Sequence, residues 1–269
     1  MGQKDMLETS IWSQGIGYLF TNLLPFRLGE VARVLVMSER SKMPVAQVAG
    51  TAIVERLLDV GTMILALLLV LPWMQVPIAI VRSGEIFSVL VLLGILVIIL
   101  LARFKEASFI LVDRVCAVFS FLPKTKILAG WAELIEGLTP LLHGFIAFKV
   151  IVLSILGWLF SGVVFFCAIQ TFQPTGLFLE AIFMMVSLSF AVIVPSSPGF
   201  IGVFQFIGQQ SLVIPFGLKY SVSSALAIAL MAHLVYYIPS TLLGIIGLWR
   251  IGQSFAGLMQ LATRKNTTV

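Results

Sequence analysis

Charge is scarce in this 269-residue chain, and cysteine and histidine are scarcer. Charged residues make up 11% of it, against about 25% in an ordinary soluble domain. Hydrophobic residues make up 59%, and the mean hydropathy is +1.09. Seventeen bases and 12 acids cannot cover the surface of a soluble globule of 29.4 kDa. A soluble enzyme and a disordered tail are therefore excluded. Two cysteines, Cys116 and Cys167, stand in apolar surroundings without metal or disulfide spacing, which excludes a secreted disulfide scaffold. The only histidines are His143 and His233. No His-Glu-x-x-His pair, Gly-x-Ser-x-Gly elbow or Gly-x-x-x-x-Gly-Lys-Ser/Thr loop occurs. The sequence therefore predicts no enzyme, no metal, no cofactor and no ATP-driven machine. A signal peptide is not expected either, because Lys4, Asp5 and Glu8 precede a short apolar run interrupted by Gln14 and Asn22.

What remains is an integral membrane protein. The composition predicts an all-α, polytopic transmembrane bundle. Its net charge of +5 fits cytoplasmic loops that collect Lys and Arg, rather than nucleic-acid binding. A helix needs about 20 apolar residues to cross the hydrocarbon core. Val45–Leu71, Ile86–Ala102, Phe145–Thr171 and Val222–Trp249 meet that length. Ile11–Met37 is broken by Asn22, Pro25 and Arg27, and Leu177–Phe216 by Pro195-Ser-Ser-Pro-Gly199. Non-helical backbone at depth persists only where protein or a wet cavity satisfies it, so both segments are expected to be interrupted or re-entrant. Thirteen of the 17 bases fall in Arg27–Lys42, Arg103–Lys149 and the C-terminus, which places those regions and the C-terminus in the cytoplasm of a prokaryotic-type inner or plasma membrane. Leu177–Phe216 must then enter and leave from outside. Ile127, Trp131, Leu134, Ile135, Leu138, Leu141 and Leu142 recur at helical spacing. Together with a weaker case at Phe104–Phe121, they predict cytoplasmic helices that lie in the interface or pack under the bundle. One transmembrane domain is expected over 1–252, including those helices at about 104–143, with a cytoplasmic tail over 253–269.

Four polar constellations stand out. In Asn22-Leu-Leu-Pro25-Phe-Arg27-Leu-Gly29-Glu30-Val-Ala-Arg33, helical spacing puts Glu30 between Arg27 and Arg33, Pro25 suits a helix start or kink, and Gly29 permits close helix approach. In Thr51-Ala-Ile-Val-Glu55-Arg56-Leu-Leu-Asp59, three charges interrupt an apolar span. Each costs at least about 2.5–3.5 kcal/mol at bilayer depth, so they must pair or face water. Arg27, Arg33 and Arg56 balance Glu30, Glu55 and Asp59. That set is either an ion-pair network pinning two helices or a polar pocket whose arginines meet an anionic headgroup. The break Pro195-Ser-Ser-Pro198-Gly199-Phe-Ile-Gly202-Val-Phe-Gln205 cannot be a regular helix; helix is expected to resume near Phe200 or Ile201, offering free N–H groups to an anion. His233 meets Tyr236 and Tyr237 at i+3 and i+4, ahead of Pro239, and is expected to be a hydrogen-bonded packing residue more often than a proton carrier.

In this order, the motifs resemble the lysylphosphatidylglycerol synthase transmembrane-domain family, a flippase-like integral membrane family, from about Gly17 to Trp249. The resemblance covers Asn22, Pro25, Arg27, Gly29, Glu30 and Arg33; Glu55, Arg56 and Asp59; and Pro195, Pro198, Gly199 and Gly202. It extends more loosely to Gln205, where members often carry Glu or His. It implies a helical domain that moves or handles anionic or aminoacylated phospholipids. It also implies about two further helices ahead of Asn22, where this chain has some twenty residues, so those N-terminal helices are expected to be lacking. About 20 residues follow the last expected span, which leaves no room there for a synthase domain.

The sequence therefore points to a lipid translocase with membrane lipids as its partners. Arg27, Arg33 and Arg56 would hold the headgroup phosphate, with Asn22, Glu30, Glu55, Asp59, Gln205 and His233 lining the pocket. Pro25, Gly29, Pro195, Pro198, Gly199 and Gly202 would break or gate the backbone. The alternative is an accessory subunit of a lipid-modifying enzyme or glycosyltransferase that transports nothing itself.

Overall fold

A computed structural model describes residues 3–25, 28–74, 78–119, 123–193 and 196–252. All regular structure among them is helical. In chain order the helices are α1 (Gln3–Leu23), α2 (Leu28–Ser41), α3 (Val45–Val70), α4 (Ile78–Arg103), α5 (Lys105–Val118), α6 (Lys124–Leu138), α7 (Gly144–Phe172), α8 (Phe178–Ala191), α9 (Val203–Phe216) and α10 (Val222–Ile251). Short 3₁₀ turns occupy Leu71–Trp73, Thr139–Leu142 and Pro198–Phe200.

Among the described residues, Gly84–Arg103, Gly144–Phe172, Pro198–Phe216 and Val222–Ile251 are long and apolar enough to cross a membrane. Two differences from expectation follow from chemistry. α3 is one continuous helix, as its apolar run predicts, but Glu55, Arg56 and Asp59 keep it out of that set. Pro198–Phe216 enters it only by adding a 3₁₀ turn to the 14 residues of α9. Helix resumes at Val203, later than Phe200 or Ile201, because Gly199 (φ 62°), Phe200 (φ 58°) and Gly202 (φ 90°) lie on the left-handed side, where an α-helix cannot continue.

The chain divides into two compact units, Met1–Lys42 with Ala66–Val76 and Leu159–Val269, and Met43–Leu65 with Pro77–Trp158. In the first unit, α1 and α2 form an antiparallel hairpin. Gly29 lies so close to Gly17 O and Thr21 that a Cβ there would overlap both, while Met37 reaches back to Ser10 and Ser13. α1 also runs antiparallel to α10. Gly15 meets Gly244, Trp12 meets Gly247, and Asn22 meets Ser240 and Thr241. Small residues on both helices let the backbones touch, and dispersion contacts follow from that closeness. Ile16, Phe20, Ala32, Val36 and Ile251 form the apolar core where these helices meet. α8 and α9 form a second antiparallel hairpin, whose α9 packs on α10 at Gly208 against Ala229.

In the second unit, α6 lays its apolar face on α3 and α4. Val54, Ala102, Ile135 and Leu138 form that core, flanked by Trp131, Leu134, Leu141 and Leu142. Gly137 sits so close to Gln47 O and Gly50 that no side chain fits between them. The periodic apolar face of α6 is thus occupied by protein, which is the packing alternative. α5 is joined to α6 by Trp131 Nε1–H donating to Ser108 Oγ at 3.2 Å and by the Lys124–Asp113 ion pair at 2.6 Å.

Candidate functional site

Both interrupted segments are hairpins, and their tips meet on α10. α1 ends at Leu23, and Pro25 follows in a bend. The Asn22 side chain donates to Ser240 Oγ at 3.0 Å and Thr241 Oγ1 at 2.9 Å, which seats this tip on α10 beside Pro239. The other tip arrives one turn away. Gly199 is buried, and a Cβ on it would stand 2.6 Å from Tyr237 Cε2 and 3.1 Å from Asn22 O. Its positive φ and this crowding both call for glycine.

Three hydrogen bonds hold the second tip. The Gly202 N–H donates to Gln205 Oε1 at 2.7 Å. Gln205 Nε2 bonds His233 Nδ1 at 2.7 Å, and His233 Nε2 bonds Gly199 O at 2.9 Å. The His233 ring stacks on Phe204 at 4.5 Å and meets the edge of Tyr237 at 5.6 Å. Phe204 in turn stacks on Phe165 of α7 at 6.5 Å. One N–H at the start of α9, expected to be free for an anion, is therefore capped by Gln205. Among the described residues Ser196 Oγ is buried without a hydrogen-bond partner, a polar group at the same tip that costs about 1–3 kcal/mol.

The open end of the α8–α9 hairpin is closed by a cluster absent from the sequence reading. Glu180 is 3% exposed. It accepts from Lys219 Nζ at 2.7 Å, Tyr220 OH at 2.5 Å and the Leu177 N–H at 2.9 Å. Burial, and then the adjoining carboxylate, hold the Tyr220 phenol above its ordinary range, so it stays protonated and donating. Gln173 Nε2–H also reaches Lys219 O at 3.2 Å. The sequence signal was one acid in an otherwise apolar helix, at the third position after Leu177, where a capping carboxylate belongs. Its partners sit some forty residues away and carry no local pattern.

The charged residues expected at the site fall, where described, into two local sets, one in each unit. On α2, Glu30 pairs with Arg33 at 3.3 Å, the i, i+3 contact its spacing predicts. Arg33 also donates to Gln14 Oε1 of α1. The Arg33 side chain is 9% exposed. On α3, Arg56 pairs with Asp59 at 2.9 Å and with Glu55 at 3.4 Å, and its side chain is 41% exposed. Trp158 Nε1–H donates to Asp59 Oδ1 at 3.0 Å and fixes that carboxylate, a contact the sequence did not suggest. The Arg56 side chain is thus partly exposed, whereas Arg33 is enclosed. Arg27 and Pro195, both expected at the site, lie outside the described residues, as does the tail over 253–269.

No group of three or more His, Cys, Asp or Glu among the described residues is arranged to hold a metal ion. Long apolar helices, paired charges within an apolar helix and two proline-glycine hairpin tips meeting on one continuous helix define a polytopic helical membrane protein with transport-like features. The family model for the lysylphosphatidylglycerol synthase TM region matches residues 1–244, and the chain belongs to that family. No curated protein and no solved structure matches it.

Proposed function

We propose that this protein is a lipid translocase that carries anionic or aminoacylated phospholipids past two re-entrant hairpins. The observation that supports this best is the meeting of the two tips against α10. α2, α8 and α9 have 14 residues each, about 21 Å at 1.5 Å per residue, against a hydrocarbon core of about 30 Å. Each hairpin thus has at least one arm shorter than that core, beside an α1 arm of 21 residues, which suits a turn inside the membrane. His233, eleven residues beyond Val222, stands about 17 Å along α10, level with the tip it binds. Interrupted helices of this kind form transporter sites near the bilayer midplane, where exposed backbone is tolerated because protein or a polar cavity satisfies it.

The orientation follows from the charges at the two ends. The α1–α2–α10 end carries Arg40, which donates to Ile251 O, and Arg250, lying over Trp12 at 5.9 Å and Trp249 at 5.8 Å. Bases and tryptophans in this combination suit the cytoplasmic interface, with the α8–α9 hairpin entering from outside. Arg56 is the foremost phosphate contact because its guanidinium is oriented by Asp59 and Glu55 on a side chain that is 41% exposed. Arg27 serves the same role on its own segment, the enclosed Arg33 stays with Glu30 and Gln14, and Glu55 and Asp59 hold Arg56 in place. α5 and α6 rest at the cytoplasmic surface.

The test is scrambling of a fluorescent phosphatidylglycerol in proteoliposomes. Arg56→Ala abolishes it while leaving the protein monodisperse. Wild-type rates in Arg56→Ala overturn the assignment.

A further inference from the structure

We propose that His233 is a proton site that opens the Ser196–Gly202 tip when it takes up a second proton. The argument rests on the direction of three hydrogen bonds. At one end of the chain stands the Gly202 N–H, which can only donate; at the other stands Gly199 C=O, which can only accept. Gln205 must therefore turn Oε1 toward Gly202 and NH₂ toward His233. His233 Nδ1 must then accept, and its single proton sits on Nε2, donated to Gly199 O. Backbone groups at both ends allow only this arrangement of hydrogens.

A second proton has one place to bind, Nδ1, where it faces the Gln205 NH₂, donor against donor. Rotating the Gln205 amide moves the conflict to the other end, because its NH₂ then faces the Gly202 N–H. A cationic His233 therefore breaks at least one of the three bonds. The bond lost is either the cap on α9 or the Gln205–His233 link that ties α9 to α10. The proton comes from the aqueous phase and is returned there on closing.

Among the described residues, the contacts His233 makes include no countercharge to offset this. α10 itself presents Tyr237 at its ring edge and Tyr236 nearby; α9 presents Phe204 and Gln205; α7 presents Phe165 behind Phe204. On α1, Tyr18 lies in the neighbourhood of Tyr236, and Asn22 approaches Gly199. The titratable groups among these are phenols.

This inference deepens the translocase reading by adding a driving ion, and its test does not require transport. Full-length protein carrying Cys116→Ser, Cys167→Ser, His143→Gln and Ser197→Cys is labelled at position 197 with a nitroxide and reconstituted in bilayers. Nitrogen-15 NMR of the remaining histidine reports its protonation, and electron paramagnetic resonance reports tip mobility, across pH. The expected result is one neutral form, with hydrogen on Nε2, at alkaline pH. On acidification the mobile fraction of the label rises in proportion to the imidazolium, and His233→Gln removes the pH response. A neutral form with hydrogen on Nδ1, imidazolium without added mobility, or an unchanged response in His233→Gln overturns the proposal. Failure of lipid scrambling with this NMR and mobility pattern intact would count against the translocase reading alone.

Discussion

Breaking the Glu180 cluster should loosen the open end of the α8–α9 hairpin by an amount that a double-mutant cycle can isolate. Glu180 is 3% exposed and accepts three hydrogen bonds, while the Lys219 side chain is 25% exposed. Removing one partner of a buried pair costs about 3–5 kcal/mol, chiefly because the other charge is left uncompensated. Glu180→Gln leaves Lys219 stranded, but that ammonium still reaches water, so about 2–3 kcal/mol is expected after allowing for screening. Lys219→Met leaves the more deeply buried carboxylate with only Tyr220 OH and the Leu177 N–H, and should cost about 3–4 kcal/mol. The double variant removes both charges together and should cost less than the sum of the two, with a coupling of at least about 1.5 kcal/mol. Reversible unfolding in mixed micelles, followed by tryptophan fluorescence, measures all four corners of the cycle. Additive losses would refute the reasoning, since they would mean that the two groups do not interact across their 2.7 Å contact.

Other outcomes follow from the same geometry. Gly199→Ala should destabilise by about 2–5 kcal/mol, combining left-handed backbone strain of about 1–2 kcal/mol with overpacking against Tyr237 of about 1–3 kcal/mol, and thermal melting in detergent checks it. Gly244→Val should separate α1 from α10, because a Cβ there already overlaps Leu19 and Gly15 O, and a cysteine crosslink between the two helices should form more slowly in that variant. Trp158→Phe keeps an aromatic ring but removes the donor to Asp59, and should weaken lipid binding about ten- to 150-fold, corresponding to about 1.5–3 kcal/mol for one hydrogen bond to a charged group, as read by lipid titration. Tyr220 holds its proton more tightly in the folded protein than its ordinary 10.0. Above that pH the unfolded chain releases a proton that the folded chain keeps, so stability falls as pH rises, and Tyr220→Phe should flatten this alkaline slope in pH-dependent melting.

Much of the architecture was legible because it is written locally. Apolar runs mark α4, α7 and α10, and Pro25 and Pro198-Gly199 interrupt the segments that fold back as hairpins. The i, i+3 spacing of Glu30 with Arg33 and of Arg56 with Asp59 produces the ion pairs seen. Three things were not legible. Sequence spacing cannot say that the tips meet, because Asn22 and Thr241 are joined by the fold alone. It cannot name the partners of Glu180 and His233, most of which come from turns distant in sequence. Nor can it tell an apolar face that meets lipid from one that meets protein, and α6 is the instance: its stripe is filled by α3 and α4.

The central claim is that a phospholipid headgroup is held by the partly exposed Arg56 guanidinium as the lipid crosses the membrane. The most direct measurement is the rate of phosphatidylglycerol scrambling by purified protein, compared among wild type, Arg56→Ala and Arg56→Lys in the same vesicles. The account predicts rapid scrambling by wild type, loss in Arg56→Ala and partial recovery in Arg56→Lys, which keeps the charge without the planar fork. Equal rates in all three, or no scrambling above protein-free vesicles, would contradict it.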